Sequence, residues 1–141
     1  MGNRFCIIAA LSGFFTVAFG AFAAHSLETS LTAKQIEWIK TGVQYQMFHT
    51  IALLALGFFI SVAAVQSQLK YHKIAVNIIG ILWALGILGF SGGLYAMAIF
   101  NTTKFVMIVP MGGVAFLVGW FILFLVAVRS ALAKKQGVSV E

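Results

Sequence analysis

Acidic side chains are nearly missing from this chain: Glu28, Glu37 and Glu141 stand alone among 141 residues, against nine Lys and Arg. Their scarcity removes the usual material for general acid and base work, and no complete catalytic constellation or cofactor signature remains, so the chain reads as no enzyme. The single Cys6 excludes an internal disulfide. The most informative absence is of all charge from four long stretches: residues 5–27, 41–69, 74–103 and 105–128 contain no Asp, Glu, Lys or Arg.

Each stretch can cross a bilayer, because a helix needs about 20 mostly apolar residues to span roughly 30 Å of hydrocarbon. With 62% hydrophobic residues there is no room for a separate soluble domain, and residues 1–141 read as one transmembrane domain. Backbone groups in lipid must be satisfied within the element, and these runs lack the alternation of barrel strands, which leaves helices. The fold class expected is all-α: a polytopic, antiparallel four-transmembrane-helix bundle with spans over about 5–24, 43–65, 74–100 and 105–128.

A net charge of +6 in a soluble protein would suggest nucleic acid; here the basic residues sit in short connections, where they are topogenic signals. Arg4, Lys70, Lys73, Arg129, Lys134 and Lys135 fall on one side, and Lys34, Lys40 and Lys104 on the other. The positive-inside rule then places both termini in the cytoplasm. Arg4, the apolar run and Ala21-Phe22-Ala23 imitate a signal peptide, but the run is about 20 residues, longer than the usual 7 to 15 of a signal core. Cys6 stands where a myristoylation motif requires Ser or Thr.

Along the first helix Thr16, Gly20 and Ala24 repeat every four residues, and with Gly13 they let a neighbouring backbone come close. The following connection carries Thr32-Ala33-Lys34-Gln35, which fits a capping box. Behind it Ile36, Ile39 and Val43 share one face, and Trp38 suits the headgroup zone, so a short outer interfacial helix is expected, with a bend near Thr41-Gly42. Asn101-Thr102-Thr103-Lys104 closes an outer turn between antiparallel neighbours. The basic tail after Val128 reads as a helix end followed by disorder.

Under this topology the unusual residues collect in one leaflet. They are His25, Gln44, Tyr45, Gln46, His49, Ser91, Tyr95 and Pro110, with Gly92, Gly93, Gly112 and Gly113 as packing residues. Ser91 lies roughly 14 Å and Tyr95 about 9 Å below the outer turn. Polar groups at such depth face the bundle interior, since an unpaired one in hydrocarbon costs several kcal/mol. His49 could relay protons or ligate a metal or haem iron, or be a hydrogen-bonded structural residue; its expected partners are Gln46, Ser91, Tyr95 or the helix-four backbone near Pro110. His25 and His49 alone make a poor metal site, so no metal is expected. Pro110, read as about five residues into helix four, should kink it or mark a late start.

Four motifs carry a resemblance: Gly20-Ala21-Phe22-Ala23-Ala24-His25; Thr41-Gly42-Val43-Gln44-Tyr45-Gln46-Met47-Phe48-His49; Phe90-Ser91-Gly92-Gly93-Leu94-Tyr95; and Pro110-Met111-Gly112-Gly113 through Gly119-Trp120. With them the chain resembles the YgdD-like family of small bacterial inner-membrane proteins, related to a mitochondrial membrane family. Ala23 stands where Gly is expected, and Gly42 where Ala is. The resemblance implies four transmembrane helices in the inner membrane and leaves activity open. Three function classes follow: a non-enzymatic bundle packing against lipids, a membrane-protein partner or another copy of itself; a small-molecule or proton carrier; and a haem or quinone redox protein. The first is preferred, with no cofactor and no nucleic acid, and the lack of acidic residues in the spans lowers the second.

Overall fold

Helices account for the spans because nothing in the apolar runs can compete with the intrahelical hydrogen-bond ladder. The structure, a computed structural model, describes residues 2–27, 30–65 and 72–135. In chain order they form α1 (Gly2–Phe22), α2 (Ala33–Val65), α3 (Lys73–Gly86), α4 (Gly92–Ile99) and α5 (Ile108–Lys135). A π turn, Ala23–Leu27, prolongs α1, and a second, Ile87–Ser91, joins α3 to α4 into a single third span. Four stretches are long and apolar enough to cross a membrane: Asn3–His25, Ala33–Val62, Lys73–Ile99 and Ile108–Ala133. The chain is an all-α polytopic membrane protein. Most of the turn expected over 66–73 and the end of the tail lie outside the described residues.

Paired contacts show the antiparallel order. Gly13 faces Thr50 and Gly20 faces Val43 between α1 and α2, while Gln35 and Gly42 of α2 meet Ala98 and Tyr95 of α4. Along α5, Gly112 meets Gly89, Gly119 meets Trp83, and Ser130 meets His72. The second and third spans are central, with 39% of each apolar window buried; α1 and α5 flank them at 22% and 17%. That difference makes α1 and α5 the main lipid-facing helices.

Two expectations about elements change, and of the two outcomes expected of Pro110, a kink or a late start, the structure has the late start. The amphipathic stretch after Thr32 is helical, but it is the opening of α2, which runs from Ala33 to Val65 through Thr41-Gly42 as one helix, so there is no separate outer interfacial helix. Ile36 and Ile39 are buried, Ile39 packing with Ala23, Tyr95 and Ala98, which holds the opening turns to the bundle. Gly42 is a socket: a Cβ there would lie 2.6 Å from the Tyr95 ring. Helix four starts at Ile108, three residues later than expected, after turns in which Val106 and Ile108 donate to the Thr103 and Phe105 carbonyls. Pro110 therefore occupies the first helical turn, where its missing N–H breaks no bond and no kink is required.

The α1–α2 end of the bundle is closed by polar caps. Thr32 N–H donates to Gln35 Oε1 at 2.9 Å, and Gln35 N–H donates to Thr32 Oγ1 at 3.3 Å, which completes the capping box. The same Gln35 side chain reaches across to donate to the Ala98 carbonyl at 2.9 Å, one of the last carbonyls of α4. Asn101, with φ of 45°, ends α4, and Thr102 N–H returns to the Met97 carbonyl at 3.2 Å. That is a Schellman closure, with Asn in the left-handed position that Gly usually fills.

Between α3 and α5 the seam is an exchange of rings and glycines. The Trp83 ring packs on Gly119 and the Phe116 ring on Gly86, three residues apart on each helix. Phe5 of α1 packs on Gly80 in the same manner. At the π turn the two backbones themselves touch: a Cβ on Gly89 would lie 3.3 Å from Gly112 Cα, and one on Gly112 would collide with the Phe90 backbone. Gly93 is tight against Val109, Gly113 is in ordinary contact with the Phe90 ring, and Gly13 and Gly20 have room for a methyl group. A Cβ on Gly92 would meet only the Ile87 carbonyl of its own span, at 4.0 Å. Gly112→Ala should cost about 1–3 kcal/mol by overpacking, whereas Gly20→Ala should be neutral or gain up to about 1 kcal/mol. Thermal unfolding in detergent checks this, and equal midpoints for the two variants would sink the Gly89–Gly112 contact.

Candidate functional site

The polar residues of the α1–α2 half separate into two clusters. Gln46, 4% exposed, and Tyr95, 6% exposed, belong to the first. The Tyr95 hydroxyl donates to Gln46 Oε1 at 2.8 Å, and Gln46 Nε2 donates to the Ser12 carbonyl at 3.0 Å and to Ser12 Oγ at 3.2 Å. Ser12 Oγ shares a 2.6 Å bond with Thr50 Oγ1, and Thr16 Oγ1 donates to the Ser12 carbonyl at 2.8 Å. Three helices, α1, α2 and α4, meet in this network. Tyr95 is further held by stacking on Phe19, ring centroids 4.2 Å apart.

His49 centres the second cluster. Its Nδ1 is 2.8 Å from the Tyr45 carbonyl one turn earlier, and its Nε2 accepts from Trp120 Nε1 of α5 at 3.1 Å. Because an indole nitrogen can only donate, His49 Nε2 carries the lone pair and Nδ1 the proton. Both nitrogens are therefore engaged, with neither left for a metal or a substrate. The ring lies flat on Phe116, centroids 3.5 Å apart, and Tyr45 packs on Phe90 at 4.6 Å.

The expectation for His49 is thus corrected. It is buried in the bundle, but its bonds run to Trp120 and the Tyr45 carbonyl, and not to Gln46, Ser91, Tyr95 or the backbone near Pro110. Tyr45 and His49 stay together because they are one turn apart on α2. Gln44, Tyr45, His49 and Pro110 all border a groove between α2 and α5. Ser91 is fully buried in the π turn, and its Oγ has no hydrogen-bond partner. His25 is exposed in the π turn after α1 and is not drawn into either cluster. Among the described residues no three His, Cys, Asp or Glu side chains are grouped to hold a metal.

Several contributors escape a residue-by-residue reading. Ser12 and Thr50 look unremarkable alone, yet Ser12 and Thr16, like Gln46 and Thr50, are four apart and share a helical face. That paired spacing was the available signal. Nothing local marks Trp120, which sits among apolar residues, as the partner of His49.

Chemically the two clusters are a fixing device. The network contains no acid, no free base and no hydroxyl beside a base, and Ser91 Oγ has no hydrogen-bond partner to activate it.

A model of a protein family of unknown function, DUF423, matches residues 19–113. A UPF0382 membrane protein of Haemophilus influenzae is 47% identical over 120 residues, 85% of this chain and 90% of that one. The UPF0382 inner membrane protein YgdD of Escherichia coli K12 is 40% identical over 142 residues, covering both chains completely. YwdK, a UPF0382 membrane protein of Bacillus subtilis, is 34% identical over 126 residues, 89% of this chain and 96% of its own. No solved structure matches. With a family model across two thirds of its length and relatives aligned nearly end to end, this four-span chain belongs to the DUF423 (UPF0382) family of multi-pass membrane proteins, whose function is uncharacterised.

Proposed function

We propose that the chain is a non-enzymatic bundle of the bacterial inner membrane that acts through its lipid-facing surface, on lipids or on other membrane proteins. One observation carries this reading: apart from Ser91 Oγ and Trp83 Nε1, the polar groups of the two buried clusters bond to one another. Ser12, Thr16, Gln46, Thr50 and Tyr95 form one closed set, and His49 with Trp120 another. No acidic residue lies in the charge-free stretches 5–27, 41–69, 74–103 and 105–128 to drive proton coupling; Glu37 stands in the opening turns of α2. The redox reading looks to His25 or His49 as a ligand, and the carrier reading to His49 with Gln46, Ser91 and Tyr95; both nitrogens of His49 are engaged, which lowers its part in either. Exposed Phe14, Phe15 and Val17 on α1, and Leu117, Phe121 and Phe124 on α5, supply an apolar exterior.

Both termini are placed in the cytoplasm, on the asymmetry of six basic residues against three. Reporter fusions at Glu141 and at Thr102 should give opposite signals, with Glu141 cytoplasmic; a periplasmic Glu141 overturns the orientation. Purified protein should show no Soret band, and a stoichiometric haem spectrum would overturn the non-redox reading.

The closed network also predicts a coupling. Gln46→Leu should cost about 1–2 kcal/mol, because it strands the Tyr95 hydroxyl in hydrocarbon, and Tyr95→Phe a similar amount. Since both changes delete the same bond, the double variant should cost clearly less than their sum. Unfolding of the four proteins in detergent measures it, and strict additivity would show that the two side chains are not joined.

A further inference from the structure

α2 and α5 each pack on the third span; their backbones stay apart, and they meet through the side chains of Phe48 and His49 on one and Phe116 and Trp120 on the other. The seam between them is open to the surrounding hydrocarbon, and it is divided in two. The half toward the α1–α2 end is a groove of about 770 Å³, walled by Met47, Phe48 and Ile51 of α2 and by Val114 and Leu117 of α5. The other half is smaller, about 400 Å³, walled among others by Leu56, Phe59 and Leu123. Trp120 lines both. Its indole is anchored to His49 at 3.1 Å and packed on Trp83 at 4.6 Å, so it closes the floor of the larger groove.

The dimensions select the occupant. From Pro110 to Trp120 the groove follows about 15 Å of helix, half of the roughly 30 Å hydrocarbon layer. Trp120 also stands at the middle of the apolar stretch Ile108–Ala133. The groove is therefore one leaflet deep and blind. A partner helix crossing the bilayer needs the full thickness and would meet Trp120 halfway, whereas an acyl chain enters from one leaflet and ends at its midplane.

Charge selects the headgroup. Lys40, Gln44, Met47 and Ile51 follow the spacing of one helical face, so Lys40 stands about 6 Å above Gln44, over the mouth of the groove. Lys40 is exposed. Lys34 and Lys104 belong to the same end of the bundle, against Glu37, which lies one turn further out than Lys40.

We propose that this half of the α2/α5 seam binds one anionic phospholipid, its acyl chain lying along Phe48, Val114 and Leu117 down to Trp120 and its phosphate against Lys40. The inference rests on the reading of the protein as a bundle acting at its lipid-facing surface. In it, the His49–Trp120 bond is the partition that makes the slot a single leaflet deep.

Quenching of tryptophan fluorescence by lipids brominated at mid-chain tests the proposal on the full chain in bilayers of unlabelled phosphatidylcholine. Bromine at that depth is level with Trp120; Trp83 is 2% exposed, and Trp38 lies in the opening turns of α2, far from the midplane. Brominated phosphatidylglycerol should quench at about a fivefold lower mole fraction than brominated phosphatidylcholine, the preference that one basic residue at a membrane surface supplies. Lys40→Gln should abolish the preference and leave the phosphatidylcholine curve in place. Val114→Phe, at a position 56% exposed, should narrow the slot and weaken quenching by both lipids with the melting temperature retained. Identical curves for both lipids in the wild-type chain would mean annular contact only and overturn the proposal. So would a preference that survives Val114→Phe, or shielding of Trp120 from both lipids in a dimer. Those failures leave the bundle reading intact, because that reading falls on a bound chromophore or on additivity between Gln46 and Tyr95.

Discussion

Hydrocarbon offers no hydrogen bonds, and the amide of Gln46 is where this fold answers that constraint. Its carbonyl oxygen accepts a hydrogen bond from the Tyr95 hydroxyl and its nitrogen donates to the Ser12 carbonyl, so a single side chain on α2 fixes both α1 and α4. Rotating any one of the three helices would leave a polar group facing lipid, at a cost larger than the bond itself contributes. The network thus selects one rotation and register for each helix. Apolar packing alone would tolerate several, because a lipid tail is as good a neighbour for Leu as another Leu is.

What the polar network sets in α1, α2 and α4, glycine sets in α3 and α5. Trp83 and Phe116 each lie on the partner helix's glycine, and the Gly89–Gly112 contact brings the backbones together at the π turn. Close approach of this kind maximises dispersion contact, which is the main apolar attraction left between helices in lipid. It has a cost in polar satisfaction. Trp83 Nε1, pressed on Gly119, and Ser91 Oγ, in the π turn, are both buried without a hydrogen-bond partner. The same packing ties α5 to the third span and keeps its backbone apart from that of α2, which is how a lipid-open seam arises beside His49 and Trp120.

Much of the site was visible as polarity in the wrong solvent. Gln46, His49, Ser91 and Tyr95 stand out in apolar runs, and all four are buried. Their grouping was not visible. Gln46 and His49 are three residues apart on α2, yet one turns to α1 and α4 and the other to α5. Pro110 shows the same limit in the backbone: its residue type permits either a kink or a helix start, and the turns between Thr103 and Ile108 select the start.

By itself the sequence determined the four spans, their helical form and the capping box at Thr32 and Gln35. Each depends on a local property, the lack of charge over some 20 residues or the spacing of two side chains within one turn. Tertiary structure alone decided that α2 continues through Gly42, where a Tyr95 ring needs the space, and that the third span carries a π turn where Gly89 meets Gly112. It also decided that His49 belongs to Trp120. These outcomes depend on which helix faces which and at what height, and that is set by partners more than 20 residues away in the chain.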